Sequence, residues 1–329
     1  MKRLYRTIKK LGSTFFSLWR HFGFRVAWFS TIDIITYHFP ATKTATLVKK
    51  NLHKSIKRYL LKHYHSSIEQ FKAQYAKPLT QRPNDKVIWQ CWWQGEEYLD
   101  GITKICVNSV SRHANGHEIV IITKRNYSDY VKISPSILEK VNDNTISLTC
   151  FSDYLRMCLL YQNGGLWIDT TVLITQDIPS YCFCDQVYST KSRATDNTYA
   201  SEYKWASWFF GGDKGNILFA FFCKMFDVYW AHETKLINYY LVDYIIAIGY
   251  DNVPEIRKLI DAIPHTNPHK HDLCSLLNTP YDENKKYFDI LSSETYIHKL
   301  SRKITLHEKT SQGEPTIYKM IANQYSSKN

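Results

Sequence analysis

Acidic side chains are almost missing from the first 77 residues of this 329-residue chain, where Asp33 and Glu69 stand against 16 Lys or Arg. From residue 78 onward 26 basic side chains face 28 acidic ones, so the formal net charge of +12 belongs to the N-terminal stretch. Long apolar runs are missing too. The opening MKRLYRTIKKLGSTFFSLWRHFGFRVAWFSTIDIITYHF keeps its charge-free stretches to about nine residues, whereas a membrane-crossing helix needs roughly 20. Arg20 and Arg25 interrupt any signal-peptide core, and no small-residue cleavage site follows. The eight cysteines, at 91, 106, 150, 158, 182, 184, 223 and 274, form no CxxC pair, and Cys182 and Cys184 lack zinc-site spacing. Most lie in apolar runs, as small buried thiols do in a reduced, cytoplasmic protein. There are no internal repeats and no low-complexity segments.

With 44% hydrophobic and 15% aromatic residues, the chain can bury a large mixed core. The length fits one elaborated domain, expected at 81–329, preceded by a basic helical extension at 1–80. RPNDK at 82–86 reads as the linker between them. In the extension, Lys and Arg alternate with Trp, Phe and Leu, a pattern suited to lying in a membrane interface with cations on anionic headgroups. Residues 43–77 continue it as a basic helical stretch. That helix has two further readings: packing on its own domain, or contacting nucleic acid. The body holds no nucleic-acid recognition motif, so nucleic acid is not expected as a partner.

The body alternates strand and helix. KVIWQCW (86–92) and HEIVIIT (117–123) read as strands around an amphipathic helix at 98–114, a βαβ unit that implies a parallel sheet. Helices follow at 134–141 and 149–163. SWFFGG (207–212) reads as a further strand, and 215–232, 236–248 and 254–262 as helices. FFGGDKGN lacks the Lys-Ser/Thr ending of a phosphate loop and reads as a turn.

The informative stretch is FSDYLRMCLLYQNGGLWIDTTVLIT, residues 151–175. Ser152 is expected to cap a turn, and Asp153 and Arg156 stand three apart on one helical face. Gly164 and Gly165 allow a left-handed helix stop and a tight reversal into the strand LWID. Asp169 then falls at the carboxyl end of a buried strand, the edge where open α/β sheets bind ligands. A carboxylate there is costly unless it meets something polar or cationic. A purely structural ion pair of Asp153, Arg156 and Asp169 would satisfy that demand as well.

SDYLR, GG and LWID together resemble the donor-binding core of DxD-type glycosyltransferases, usually S-D-x-x-R followed by G-G-x-Y-x-D-x-D. With IWQCWWQGEE (88–97) and IHKLSRK (297–303), the chain resembles more closely still the bacterial capsular polysaccharide synthesis glycosyltransferases, over most of 86–303. The resemblance implies an α/β GT-A fold, a Rossmann-like mixed sheet with flanking helices. It also implies a UDP-sugar donor and a Mn²⁺ or Mg²⁺ ion. By position, Trp89 matches the aromatic that stacks on the uracil in the toxin branch. Asp153 and Arg156 match the pair that holds ribose and donor sugar, and Asp169 matches the first Asp of the DxD. Thr171 replaces the second Asp, and a hydroxyl is a poorer ligand for a hard cation than a carboxylate. Asp243, His298 and His307 are candidates for completing a metal site, and Asp243 is also a catalytic candidate.

Breaking the bond from anomeric carbon to phosphate leaves a diphosphate anion, so preorganised cations are the main lever. Arg156, Lys299, Arg302 and Lys303 are the candidates, with a solvated basic face as the alternative for the last three. Trp92 and Trp93 read as core or as a wall of the sugar site. The expected protein is a membrane-peripheral hexosyltransferase at the inner face of the plasma membrane. It would move galactose or glucose, with retention, to a lipid-linked oligosaccharide of a capsule or exopolysaccharide. The rival is a non-catalytic polysaccharide-assembly or carbohydrate-binding protein on the same fold.

Overall fold

A computed structural model describes residues 2–36, 42–75, 86–183, 186–193, 198–282 and 284–327. Of the expected linker at 82–86, only Lys86 lies within the described residues. Three helices come first: α1 (Lys2–Phe22), α2 (Phe24–Thr36) and α3 (Lys43–Gln74). Thr42 caps α3 by accepting from the Ala45 amide at 3.1 Å. Along α3 the buried residues recur every three or four positions, Leu52, Ile56, Leu60, Tyr64, Ile68 and Phe71 among them. That spacing gives one apolar stripe on an otherwise basic helix.

The body begins with β1 (Ile88–Cys91), α4 (Gly101–Arg112), β2 (Ile119–Ile122), α5 (Tyr127–Tyr130), α6 (Pro135–Asn142) and α7 (Leu148–Asn163). Then come β3 (Gly165–Ile168), β4 (Val172–Ile174), β5 (Val187–Tyr188), β6 (Phe209–Gly212), α8 (Ile217–His232), α9 (Leu241–Asn252) and α10 (Pro254–Asp261). It closes with α11 (Lys285–Leu291), β7 (Ile297–Lys299) and α12 (Ile317–Gln324).

The main sheet has the order β2-β1-β3-β6-β5. Its β1–β2 and β1–β3 pairs are parallel, whereas β6 runs antiparallel to both β3 and β5. The βαβ unit read from the sequence supplies the parallel β1–β2 pair, within the mixed sheet that the resemblance implied. Every residue of β3 and β6 is buried, as central strands covered on both faces require. A separate two-stranded antiparallel pair joins β4 to β7, setting Val172 opposite Lys299.

The apolar stripe of α3 belongs to the same hydrophobic cluster as α7, α8 and α9. Polar bonds reinforce the contact. Tyr59 and Tyr64 both donate to Glu233 just beyond α8, at 2.6 and 2.8 Å. His53 meets the Tyr244 hydroxyl at 2.7 Å, and Lys57 pairs with Asp251 at 2.5 Å. The second basic stretch is thus a helix packed on the body with its cationic face turned outward. Among the described residues, no helix is long and apolar enough to cross a membrane.

Candidate functional site

Two glycines set the site's geometry. Ser147, not Ser152, caps α7 by accepting from Cys150, and Gly164 ends the helix at φ +73°. Gly165 adopts φ +99°, and a Cβ there would come within 2.5 Å of the Val87 carbonyl oxygen. Only glycine permits β3 to start this close to β1. Asp153 and Arg156 lie on successive turns of α7, while Asp169 follows β3 and its amide donates to the Trp208 carbonyl at 3.0 Å. Lys299 arrives from far along the chain because β7 pairs with β4. The Leu300 amide donates to the Thr171 carbonyl at 2.8 Å, fixing that register next to the site.

These elements bring four charged side chains together. Arg156 Nη2 reaches Asp169 Oδ1 at 3.0 Å and Asp153 Oδ1 at 3.3 Å. Lys299 Nζ donates to Asp169 Oδ2 at 2.7 Å and to Thr171 Oγ1 at 2.8 Å. Trp167 Nε1 adds a bond to Asp169 Oδ1 at 2.8 Å, and Arg156 also donates to the Ser207 carbonyl. The Arg156 guanidinium lies 5.0 Å from the centre of the Trp167 ring. Burial works against a charged Asp169, but Lys299 and then Arg156 hold its carboxyl below the usual carboxylate range. Burial pushes Asp153 up to about 7, with Arg156 opposing and the carboxylates of Asp169 and Asp243 adding to the rise. Burial also pushes Asp243 up to about 6, against a 2.8 Å bond from Trp205 Nε1.

This cluster opens into a cleft of about 810 Å³. Asp153, Arg156, Asp169, Thr171, Asp243 and Lys299 all line it, and so do Arg302 and Lys303. Arg302 stacks over Trp92 at 5.0 Å, and Lys299 lies 5.5 Å from the Trp208 ring centre. Trp92 and Trp93 therefore form cleft wall. Two donors in that wall, Arg156 Nε and Trp92 Nε1, are buried with no hydrogen-bond partner among the described residues.

Three candidates fall elsewhere. Trp89 is 3% exposed, gives its Nε1 hydrogen to the Gly164 carbonyl at 2.8 Å and meets Tyr130 edge to face. It is a core residue beside the glycine turn, so it does not stack on a base in the cleft. His298 neighbours Lys299 on β7, and strand alternation turns it the other way. It is fully buried, bonded to Thr175 Oγ1 at 3.2 Å, and does not line the cleft. His307 is exposed in the loop after β7 and is also absent from the cleft wall. Sequence reasoning missed Lys270 and His271, both on the wall. Burial lowers Lys270 to about 8, and burial with the nearby charges of Lys270 and Lys299 lowers His271 to about 4. The NPHKHD run at 267–272 was the available signal.

The residues present do not make a divalent-cation site as arranged. Both Asp169 oxygens already accept from full cations or an indole, and the Thr171 hydroxyl accepts from Lys299. Among the described residues no group of three His, Cys, Asp or Glu is disposed to hold a metal ion. The Lys299 ammonium sits where an ion between Asp169 and Thr171 would have to go.

The protein is a mixed α/β protein whose cleft lies at the carboxyl end of β3, a central strand, the edge where open α/β sheets bind ligands. The chain belongs to the capsular polysaccharide synthesis protein family, whose family model matches residues 37–321. That match takes in α3, which the motif resemblance had left out. Among solved structures, a PaToxG glycosyltransferase is similar at 15% identity with a TM-score of 0.39, over 63% of this chain and 82% of that one. No curated protein matches the chain.

Proposed function

We propose that this protein is a retaining glycosyltransferase of capsule or exopolysaccharide assembly. It takes a hexose, galactose or glucose, from a UDP-sugar and passes it to a lipid-linked oligosaccharide at the inner face of the membrane. The observation that carries the reading is the convergence of Arg156 and Lys299 on Asp169, beside Asp153 and Asp243, at the base of a cleft with aromatic walls. Buried donors left without acceptors await them from a ligand, and a sugar diphosphate supplies many.

In this scheme Lys299 and Arg156 carry the charge that develops on the departing diphosphate, with Arg302 and Lys303 nearer the mouth. Fixed cations in a water-poor cleft stabilise such charge without reorganising. The raised carboxyls of Asp153 and Asp243 share their protons with sugar or ribose hydroxyls. Trp92 and Trp93 offer the flat apolar faces that a sugar or uracil ring needs. Lys299 takes the position that a Mn²⁺ or Mg²⁺ ion would fill, so turnover proceeds without added metal.

Support for membrane attachment comes from α1 and α2. Phe16, Trp19, Phe24 and Trp28 are between 47% and 64% exposed. Their rings touch in sequence, Phe16–Trp19 at 6.1 Å, Trp19–Phe24 at 6.0 Å and Phe24–Trp28 at 5.8 Å. Such a contiguous aromatic surface suits the acyl boundary of a bilayer.

The test is UDP-sugar hydrolysis across a donor panel, with Mn²⁺ or with EDTA. An active wild type beside an inactive Asp169→Ala is expected. A wild type inert toward every UDP-sugar, while still binding glycan, would favour the non-catalytic reading that Thr171 invites.

A further inference from the structure

A second cavity lies on the opposite flank of the polypeptide segment that walls the cleft. It is a groove of about 780 Å³ between the outward face of α3 and residues Tyr199, Ala200 and Glu202. Tyr199 lines both this groove and the main cleft, so the two adjoin at that side chain. The α3 side presents Lys50, Lys54, Arg58 and Lys62, all exposed and spaced as one stripe of the helix. None of these four has a carboxylate partner among the described residues. The two other charged neighbours are accounted for: Lys57 is paired with Asp251, and Glu202 with Lys204. Such a row of unpaired like charges, about 18 Å long at the helical rise, is held together only at a cost that an anion would relieve.

The same stripe begins with Leu47, which is 60% exposed, one turn before Lys50. The neighbouring helix α2, which packs against α3, ends with Ile34 and Ile35, 47% and 50% exposed. Exposed apolar side chains thus stand on α3 one turn beyond the groove's Lys50 and at the end of the neighbouring α2, while the groove shares Tyr199 with the cleft that holds Asp169. An occupant must be amphiphilic: a hydrocarbon part, then a multiply charged anion, then a polar part reaching past Tyr199.

We propose that this groove binds the phosphate or diphosphate linker of a lipid-anchored glycan acceptor. The inference rests on the acceptor class proposed above and specifies how that acceptor is held. Lys54 and Arg58 grip the linker, Leu47 and the end of α2 meet the lipid, and the glycan passes Tyr199 toward the donor. These α3 residues act in positioning and do not touch the reacting atoms.

The experiment uses the full chain and a soluble probe, farnesyl diphosphate, with farnesol, inorganic pyrophosphate and phosphatidylglycerol vesicles as the other arms. UDP binding is measured on the same samples. Farnesyl diphosphate should bind more tightly than farnesol or pyrophosphate. Lys54→Gln/Arg58→Gln should weaken it about thirtyfold, roughly fivefold per charge removed, with UDP binding unchanged and Lys54→Arg retaining affinity. An unweakened double variant overturns the proposal. So does pyrophosphate binding as tightly as farnesyl diphosphate, which marks a free-phosphate site, or loss of vesicle binding alone, which marks a general headgroup surface. If wild type hydrolyses UDP-sugar but ignores farnesyl diphosphate, the acceptor groove falls while the donor reading stands; if UDP itself fails to bind, it is the donor reading that falls.

Discussion

Replacing Lys299 with methionine keeps most of the side chain's length and apolar stem while deleting one ammonium. Two hydrogen bonds vanish, at 2.7 Å to Asp169 Oδ2 and 2.8 Å to Thr171 Oγ1. Asp169 keeps Arg156 and Trp167, so its charge is not abandoned, and the pair is only partly shielded from water, Lys299 being 23% exposed. The stability cost should therefore stay at about 1.5–3 kcal/mol, the range for hydrogen bonds to charged groups. The chemical step loses more. A preorganised donor at a developing anion is worth about 2.7–4 kcal/mol, which predicts a fall of roughly 10²–10³-fold in the rate of UDP-sugar cleavage. The deletion also frees Asp169 Oδ2 and the Thr171 hydroxyl, two oxygens of the kind that Mn²⁺ accepts. Single-turnover hydrolysis with and without Mn²⁺, beside a thermal melt, reads all three effects. Added Mn²⁺ should leave wild type unchanged and partly restore Lys299→Met. A variant within twofold of wild type, or a wild type abolished by EDTA, would refute the idea that an ammonium takes the metal's place.

Three further outcomes follow from the same geometry. The Asp153 carboxyl is raised in the folded protein from 3.8 to about 7, so its contribution is fully present below pH 4 and lost as pH rises through 7. At about 1.4 kcal/mol per unit, up to about 4 kcal/mol is at stake. Asp153→Asn should flatten this part of the stability profile, visible in urea melts between pH 4 and 8, and an unchanged slope would remove Asp153 as the titrating group. Gly165→Ala meets both a positive φ and the Val87 carbonyl at 2.5 Å and should lower stability by at least about 2 kcal/mol, with a melting temperature equal to wild type counting against the close-approach argument. Trp19→Ser/Trp28→Ser should sharply reduce cosedimentation with phosphatidylglycerol vesicles while sparing UDP-sugar hydrolysis, and undiminished sedimentation would dismiss the aromatic surface as a membrane contact.

The α7–β3 unit was legible because everything it needs is local. A capped helix, two glycines and a four-residue apolar strand dictate where Asp153, Arg156 and Asp169 stand. What depended on distant pairing was less so. Lys299 was recognisable as one of a basic cluster, but its bond to Asp169, 130 positions away, exists only through the β4–β7 register. The same ignorance of register misplaced His298, whose neighbour on the strand reaches the cleft in its stead. Trp89 failed for a related reason, since a strand with three buried residues in a row does not tell which face of β1 looks toward ligand. Strands β4, β5 and β7, of two or three residues each, are too short to show a period. The helical period of α3 was visible, but its Lys and Arg content drew attention away from the apolar stripe that seats it in the core.

That seating has a mechanical corollary. The 32 residues of α3 contain neither proline nor glycine, so about 48 Å of unbroken rod packs against α2 on one side and against α8 and α9 on another. Under the membrane attachment proposed above, α3 offers no joint through which the cleft could change its tilt or height over the bilayer. With the lipid-linked acceptor proposed above, a saccharide chain on its anchored carrier would then reach the cleft only within a narrow band of lengths.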